Sequence, residues 1–119
     1  MHEYSLAGEV IKIAQSEAER NNAVHISEIT IEAGKFSGVD PEAFESALRL
    51  LSEGTLLEGA ELRIERINGR GICRSCSLEF EMVERFDTCP RCNSFPSEIK
   101  GGREFRIASI VIEEKEKIQ

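Results

Sequence analysis

Cys73-Arg74-Ser75-Cys76-Ser77-Leu78-Glu79-Phe80-Glu81-Met82 runs on into Val83-Glu84-Arg85-Phe86-Asp87-Thr88-Cys89-Pro90-Arg91-Cys92, and this stretch holds all four cysteines of the 119-residue chain. They form two Cys-x-x-Cys pairs, Cys73/Cys76 and Cys89/Cys92, separated by twelve residues. Each pair makes a tight knuckle whose amides point at sulfur, and two knuckles closed by a hairpin complete a tetrahedron of thiolates. Leu78, Phe80 and Met82 alternate between the pairs and suit a short strand. Beyond these, the segment has few apolar residues, chiefly Ile72, Val83 and Phe86, too few to close a core alone. A bound ion would supply the missing folding energy, on the order of 10–16 kcal/mol for structural zinc in small peptides. Zinc suits the set best, although four sulfurs also hold iron. A site filled by four protein ligands has no open position for a substrate, so the metal is read as structural.

On either side of this module the chain alternates helix and strand. Residues 3–21 have helical periodicity, with Leu6, Val10, Ile13 and Ala14 on one stripe. Val24 to Ala33 is rich in β-branched residues, and a change of parity near Ser27 suggests a bulge. Asp40-Pro41-Glu42 is a helix start with an N-cap aspartate and proline at the first helical position. Phe44, Ala47, Leu48 and Leu51 give that helix its apolar face, and Gly54 stops it. Leu62 and Ile64 mark a strand closed by an Asn68-Gly69 turn. Phe105 to Ile112 is apolar on both parities, the pattern of a central strand or of one covered by helix on one face and by a partner on the other. The charged residues 113–119 are expected to fray. The fold class is α+β: a three-stranded sheet with two helices, plus an inserted zinc-ribbon module built on the four cysteines.

The net charge is −7. Residues 1–68 carry 13 acidic against 6 basic side chains, and residues 69–119 carry 9 of each. No basic face of the kind that binds nucleic acid is visible. No apolar run is long enough to insert into a membrane, and the N-terminus lacks the features of a secretory signal. The chain is expected to be cytoplasmic, where thiols stay reduced and are available to metal.

The other unusual feature is His2. The Met1 α-amine, the His2 amide nitrogen and the His2 imidazole lie within one chelate, and the Glu3 amide or carboxylate adds a fourth donor. Planar nitrogen donors suit Ni(II) or Cu(II). A histidine at position 2 is most often an ordinary exposed terminus. His25 has no metal-binding neighbour in sequence and reads as a surface residue.

Met1-His2-Glu3-Tyr4-Ser5-Leu6, together with Cys73-x-x-Cys76 and Cys89-Pro90-x-Cys92, resembles the HypA/HybF family of nickel metallochaperones in [NiFe]-hydrogenase maturation. Ile31-Glu32-Ala33-Gly34, Val39-Asp40-Pro41-Glu42 and Gly54-Thr55 extend the resemblance along the whole chain. It implies a protein that is not an enzyme. A nickel-binding α/β domain at 1–68 and 103–119 would carry transported Ni(II) on Met1, His2 and Glu3. A zinc-binding domain at 69–102 would hold structural zinc on Cys73, Cys76, Cys89 and Cys92. The implied partners are a HypB-like maturation GTPase and the hydrogenase large-subunit precursor. Ser77 and Asn93 follow the cysteine pairs where some members of the family have histidines, so a histidine exchange at zinc is not available here. The competing readings are a nucleic-acid-binding zinc ribbon, which the balanced charge of 69–119 disfavours, and a rubredoxin-like iron module.

Overall fold

The computed structural model describes residues 2–114. Along the chain come α1 (His2–Arg20), β1 (Ala23–Gly34), α2 (Pro41–Leu51), β2 (Glu61–Ile67), β3 (Gly69–Cys73), β4 (Glu79–Met82), β5 (Pro96–Lys100) and β6 (Phe105–Glu114). The strands form two three-stranded sheets, β2-β1-β6 and β4-β3-β5. The chain divides into two compact units. The first comprises residues 1–31, 39–65 and 106–119, the second residues 32–38 and 66–105.

In the first unit, α1 and α2 pack on each other, and Ile26, Ile29 and Ile31 of the central strand β1 are fully buried. α2 begins as its sequence dictates. Asp40 is extended at the cap, and its carboxylate accepts from the amides of Glu42 and Ala43, with Pro41 next in line. These bonds occupy two of the amides that a helix start leaves without partners. Phe44, Ala47 and Leu48 are buried, whereas Leu51 is half-buried.

Three expectations for this unit change. The buried stripe of α1 is Ala7, Val10, Ile11, Ala14 and Ala18, and Ile13, expected inside, is 56% exposed. Leu6 is half-buried. The stripe is turned toward the alanines, whose small side chains let helices approach closely. β6 is an edge strand, with β1 in the centre. Its apolar residues are divided between two partly covered faces instead of filling two buried ones. It also continues through Glu113 and Glu114, which were expected to fray; the rest of that tail lies outside the described residues. On β1, Ile26 and Ile29 are both buried despite their opposite parity, and the Ile26 amide donates to the Leu56 carbonyl at 2.8 Å.

The second unit takes more of the chain than the cysteine segment and its flanks. Antiparallel pairing places Gly69 opposite Met82 and Gly71 opposite Phe80, while Arg70 faces Lys100 across β5. Phe80 and Met82 point inward as the alternation requires, and they cluster with Phe36, Cys73 and Cys89. Phe36 comes from the turn after β1, where its amide donates to the Gly102 carbonyl at 2.6 Å. Gly69 does not sit in a turn: it opens β3, and a Cβ there would collide with the Phe36 ring. Gly102 is pinned by the same ring, 2.9 Å from where its Cβ would stand, and by a left-handed φ of 82°. Of the module's other apolar candidates, Val83 at 43% and Phe86 at 85% exposure stay outside, and Ile72 is half-buried.

Candidate metal centre

The two knuckles are built alike. In the first, the Cys73 amide donates to Leu78 and the Ser77 amide to Cys73, at 2.8 and 3.1 Å. In the second, the Cys89 amide donates to Ser94 and the Asn93 amide to Cys89, at 2.9 and 2.8 Å. Ser77 and Asn93 close these turns in the left-handed region, both at φ 62°. That conformation is native to asparagine and mildly strained for serine. The Arg74 amide donates to the Phe95 carbonyl at 3.2 Å, and the Ser75 and Ser94 hydroxyls meet at 2.8 Å, tying one knuckle to the other.

The four sulfurs all lie within 4.8 Å of one another. Cys76 stands 3.7 Å from both Cys89 and Cys92, and Cys73 lies 3.2 Å from Cys92. A disulfide would need about 2.05 Å. Sulfurs at about 2.3 Å from a central zinc would stand about 3.8 Å apart at tetrahedral angles. The observed separations fit an ion held by four thiolates, slightly closed at the Cys73–Cys92 side. Cys73 and Cys89 are buried and Cys92 is exposed, so the cluster is reached from one side.

The surroundings divide the thiols. The Arg91 guanidinium hydrogen-bonds Cys76, and with the Leu78 amide it holds that thiol down to about 6. The same contact raises Arg91 above its ordinary value. Ser94 and Cys73 lower Cys92. At Cys73 the Cys76 amide pulls downward, but burial and the Cys92 and Cys76 sulfurs outweigh it and push the thiol up to about 11. A divalent cation relieves this conflict, because all four thiolates then face positive charge.

At the other candidate site, His2 is exposed at the start of α1. The Glu3 carboxylate accepts from the Asp40 amide at 3.4 Å, so it reaches the residue that caps α2. Met1 lies outside the described residues. His25 is engaged: its Nε2 donates to the Glu58 carbonyl at 2.8 Å, and its Nδ1 lies 3.6 Å from Glu113. Among the described residues, the four cysteines form the metal-binding cluster, and neither histidine joins a second. Sequence reasoning missed Phe36 and Arg91. Phe36 lies far from the cysteines in sequence, whereas Arg91, inside the second Cys-x-x-Cys, could have been named as a thiolate partner from its position.

The family model described as hydrogenase/urease nickel incorporation, metallochaperone, hypA matches residues 1–112. Hydrogenase maturation factor HypA of Geobacter metallireducens is 38% identical, over 95% of this chain and all of its own length. HypA of Francisella philomiragia is also 38% identical, over 93% of this chain and 98% of its own length. The solution structure of the Ni metallochaperone HypA from Helicobacter pylori superimposes with a TM-score of 0.65 at 27% identity, covering 95% of this chain and 98% of that one. The fold is thus shared with that structure, and the chain belongs to the HypA family of nickel-incorporation metallochaperones for hydrogenase maturation, which are not enzymes.

Proposed function

We propose that this chain carries Ni(II) at its N-terminus and hands it, in the cytoplasm, to the [NiFe]-hydrogenase large-subunit precursor with the help of a HypB-like GTPase. Met1 and His2 would supply the α-amine, the His2 amide and the imidazole, and Glu3 would complete the site. Zinc on Cys73, Cys76, Cys89 and Cys92 would be structural. No helix among the described residues is long and apolar enough to cross a membrane.

The observation that carries the reading is the position of His2, exposed at the first turn of a 19-residue helix. The first four amides of a helix have no intrahelical acceptor, so those of His2 and Glu3 are free to serve a metal. The ordered helix also holds the His2 and Glu3 donors in place. The positive end of the helix dipole opposes a cation there by about 0.3–1 kcal/mol. A carrier benefits from that opposition, since it must release what it binds.

Protons compete with nickel for the nitrogen donors, so affinity falls as pH falls. Titration calorimetry on protein with its native start tests the assignment. His2→Ala, or an added N-terminal tag, is expected to abolish tight nickel binding while zinc content stays at one per chain. Unchanged nickel affinity in either form would remove the N-terminus from the mechanism.

A further inference from the structure

The four thiols of the ribbon are not equally open to solvent. Cys73 and Cys89 are buried, Cys76 is half-buried and Cys92 is exposed. Cys92 belongs to the second knuckle, yet its sulfur lies 3.2 Å from Cys73 and 3.7 Å from Cys76, both in the first. Closing the Cys73–Cys92 gap to the about 2.05 Å of a disulfide takes about 1.2 Å of movement, within reach of small side-chain rotations. A cysteine that holds metal does so as the thiolate, which is also its nucleophilic form. Oxidants select thiolates by exposure, and the sulfurs that form disulfides after such attack are those with a second thiol close by. Cys92 meets both conditions, and Cys73 is the nearer of its two measured neighbours.

We propose that the cysteine cluster is a peroxide-sensitive switch: Cys92 is oxidised first, Cys73 resolves it, and the resulting Cys73–Cys92 disulfide expels the metal. The Cys92 thiolate attacks one oxygen of hydrogen peroxide; the S–O bond forms as the O–O bond breaks, and hydroxide leaves. The Cys73 thiolate then attacks the sulfenic sulfur of Cys92, the S–S bond forms, and the S–O bond releases a second hydroxide. Two protons from solvent convert the hydroxides to water. The peroxide gains two electrons, and the two sulfurs give them up. Cys76 and Cys89 remain as thiolates, 3.7 Å apart, and a pair of ligands does not retain an ion that needs four. The new bridge joins the first knuckle to the second, so it takes over the cross-link that the ion supplies. Phe36, Phe80 and Met82 keep their cover, whereas a bridge inside one Cys-x-x-Cys would leave the knuckles unconnected. The switch rests on zinc at the four cysteines and is independent of nickel at the N-terminus.

Hydrogen peroxide is added to the full-length, zinc-loaded chain, with released zinc read by a chromophoric chelator and the sulfurs by mass spectrometry of peptides. Zinc is expected to fall from one per chain to none, in step with the loss of two hydrogens from the chain. The peptides of Cys73 and Cys92 should be found joined, and dimedone present during the reaction should label Cys92. Dithiothreitol and fresh zinc should restore the starting form. Amide-exchange protection in β3 and β4 should survive the oxidation, since the bridge replaces the ion. Cys76→Ser should form the same bridge at the parent's rate, and Cys92→Ser should react more slowly; the peptide map of the parent decides the pairing without either variant. A chain that takes up no zinc overturns the zinc assignment and the switch with it, whereas a chain that keeps its zinc through oxidation overturns the switch alone. A bridge between Cys89 and Cys92, a first dimedone label on any other cysteine, or Cys92→Ser reacting as fast as the parent would also overturn it.

Discussion

Phe36→Ala is the substitution that most directly separates the cysteine segment from the unit it belongs to. Phe36 is 6% exposed and shares a cluster with Cys73, Phe80, Met82 and Cys89. The Arg85 guanidinium lies 5.3 Å from the centre of its ring and donates to its carbonyl at 3.4 Å. Truncating a buried phenylalanine costs about 3–5 kcal/mol, and the stacked arginine adds about 0.5–1 kcal/mol. Two of the five cluster residues, Cys73 and Cys89, belong to the candidate metal cluster, so an ion there would help close the ribbon's core, and a loss of folding free energy would become a loss of metal affinity. At about 1.4 kcal/mol per factor of ten, zinc should bind between about three hundredfold and about twenty thousandfold more weakly, as read by competition with a chromophoric chelator. Phe36→Leu keeps most of the volume and should cost about 1.5 kcal/mol or less. Phe86→Ala, at a site 85% exposed, should leave the affinity unchanged. A Phe36→Ala protein binding zinc within threefold of the parent would refute the inference that residues 32–38 build the metal module.

The Asp87 carboxylate accepts from the amides of Glu84 and Val83, at 3.0 and 2.8 Å, and these bonds lower its pKa below the ordinary 3.8. A depressed folded-state value contributes stability that is present above pH 3.8 and lost as pH falls through the lower value. The turn at 83–87 should therefore loosen only in strong acid, and Asp87→Asn should lose amide-exchange protection at Val83 and Glu84 already at neutral pH; unchanged protection would count against the carboxylate. Asp40→Ala removes two capping bonds from α2 and should destabilise the first unit by about 1 kcal/mol in urea unfolding, with Asp40→Asn close to the parent. Equal stability of the alanine and asparagine forms would show that the cap contributes little.

Features set by neighbours in sequence were legible without coordinates. The cysteine spacing specifies two knuckles because each closes within five residues, and Asp40-Pro41 specifies a helix start because the capping bonds reach only to Glu42 and Ala43. Alternation placed Phe80 and Met82 inside for the same reason: a strand's facing repeats every two residues. Which of two candidate faces is buried is a different kind of question. Ile11 and Ile13 sit on neighbouring faces of α1, and only the packing partner decides that Ile11 goes in and Ile13 stays out. In β6, apolar residues on both parities fit a central strand or an edge awaiting cover, and strand order alone distinguishes them.

The same division holds at the metal centre. Four thiolates and their spacing follow from the chain's covalent order, and with them the kind of ion they suit. That Phe36 completes their core, that Gly69 and Gly102 lack side chains to make room for its ring, and that Arg91 lowers Cys76 while burial raises Cys73 depend on segments brought together only by folding. Chelation and capping act over a few bonds and so are written locally. Burial and electrostatic shifts sum over everything nearby in space, and only the tertiary structure says what is near.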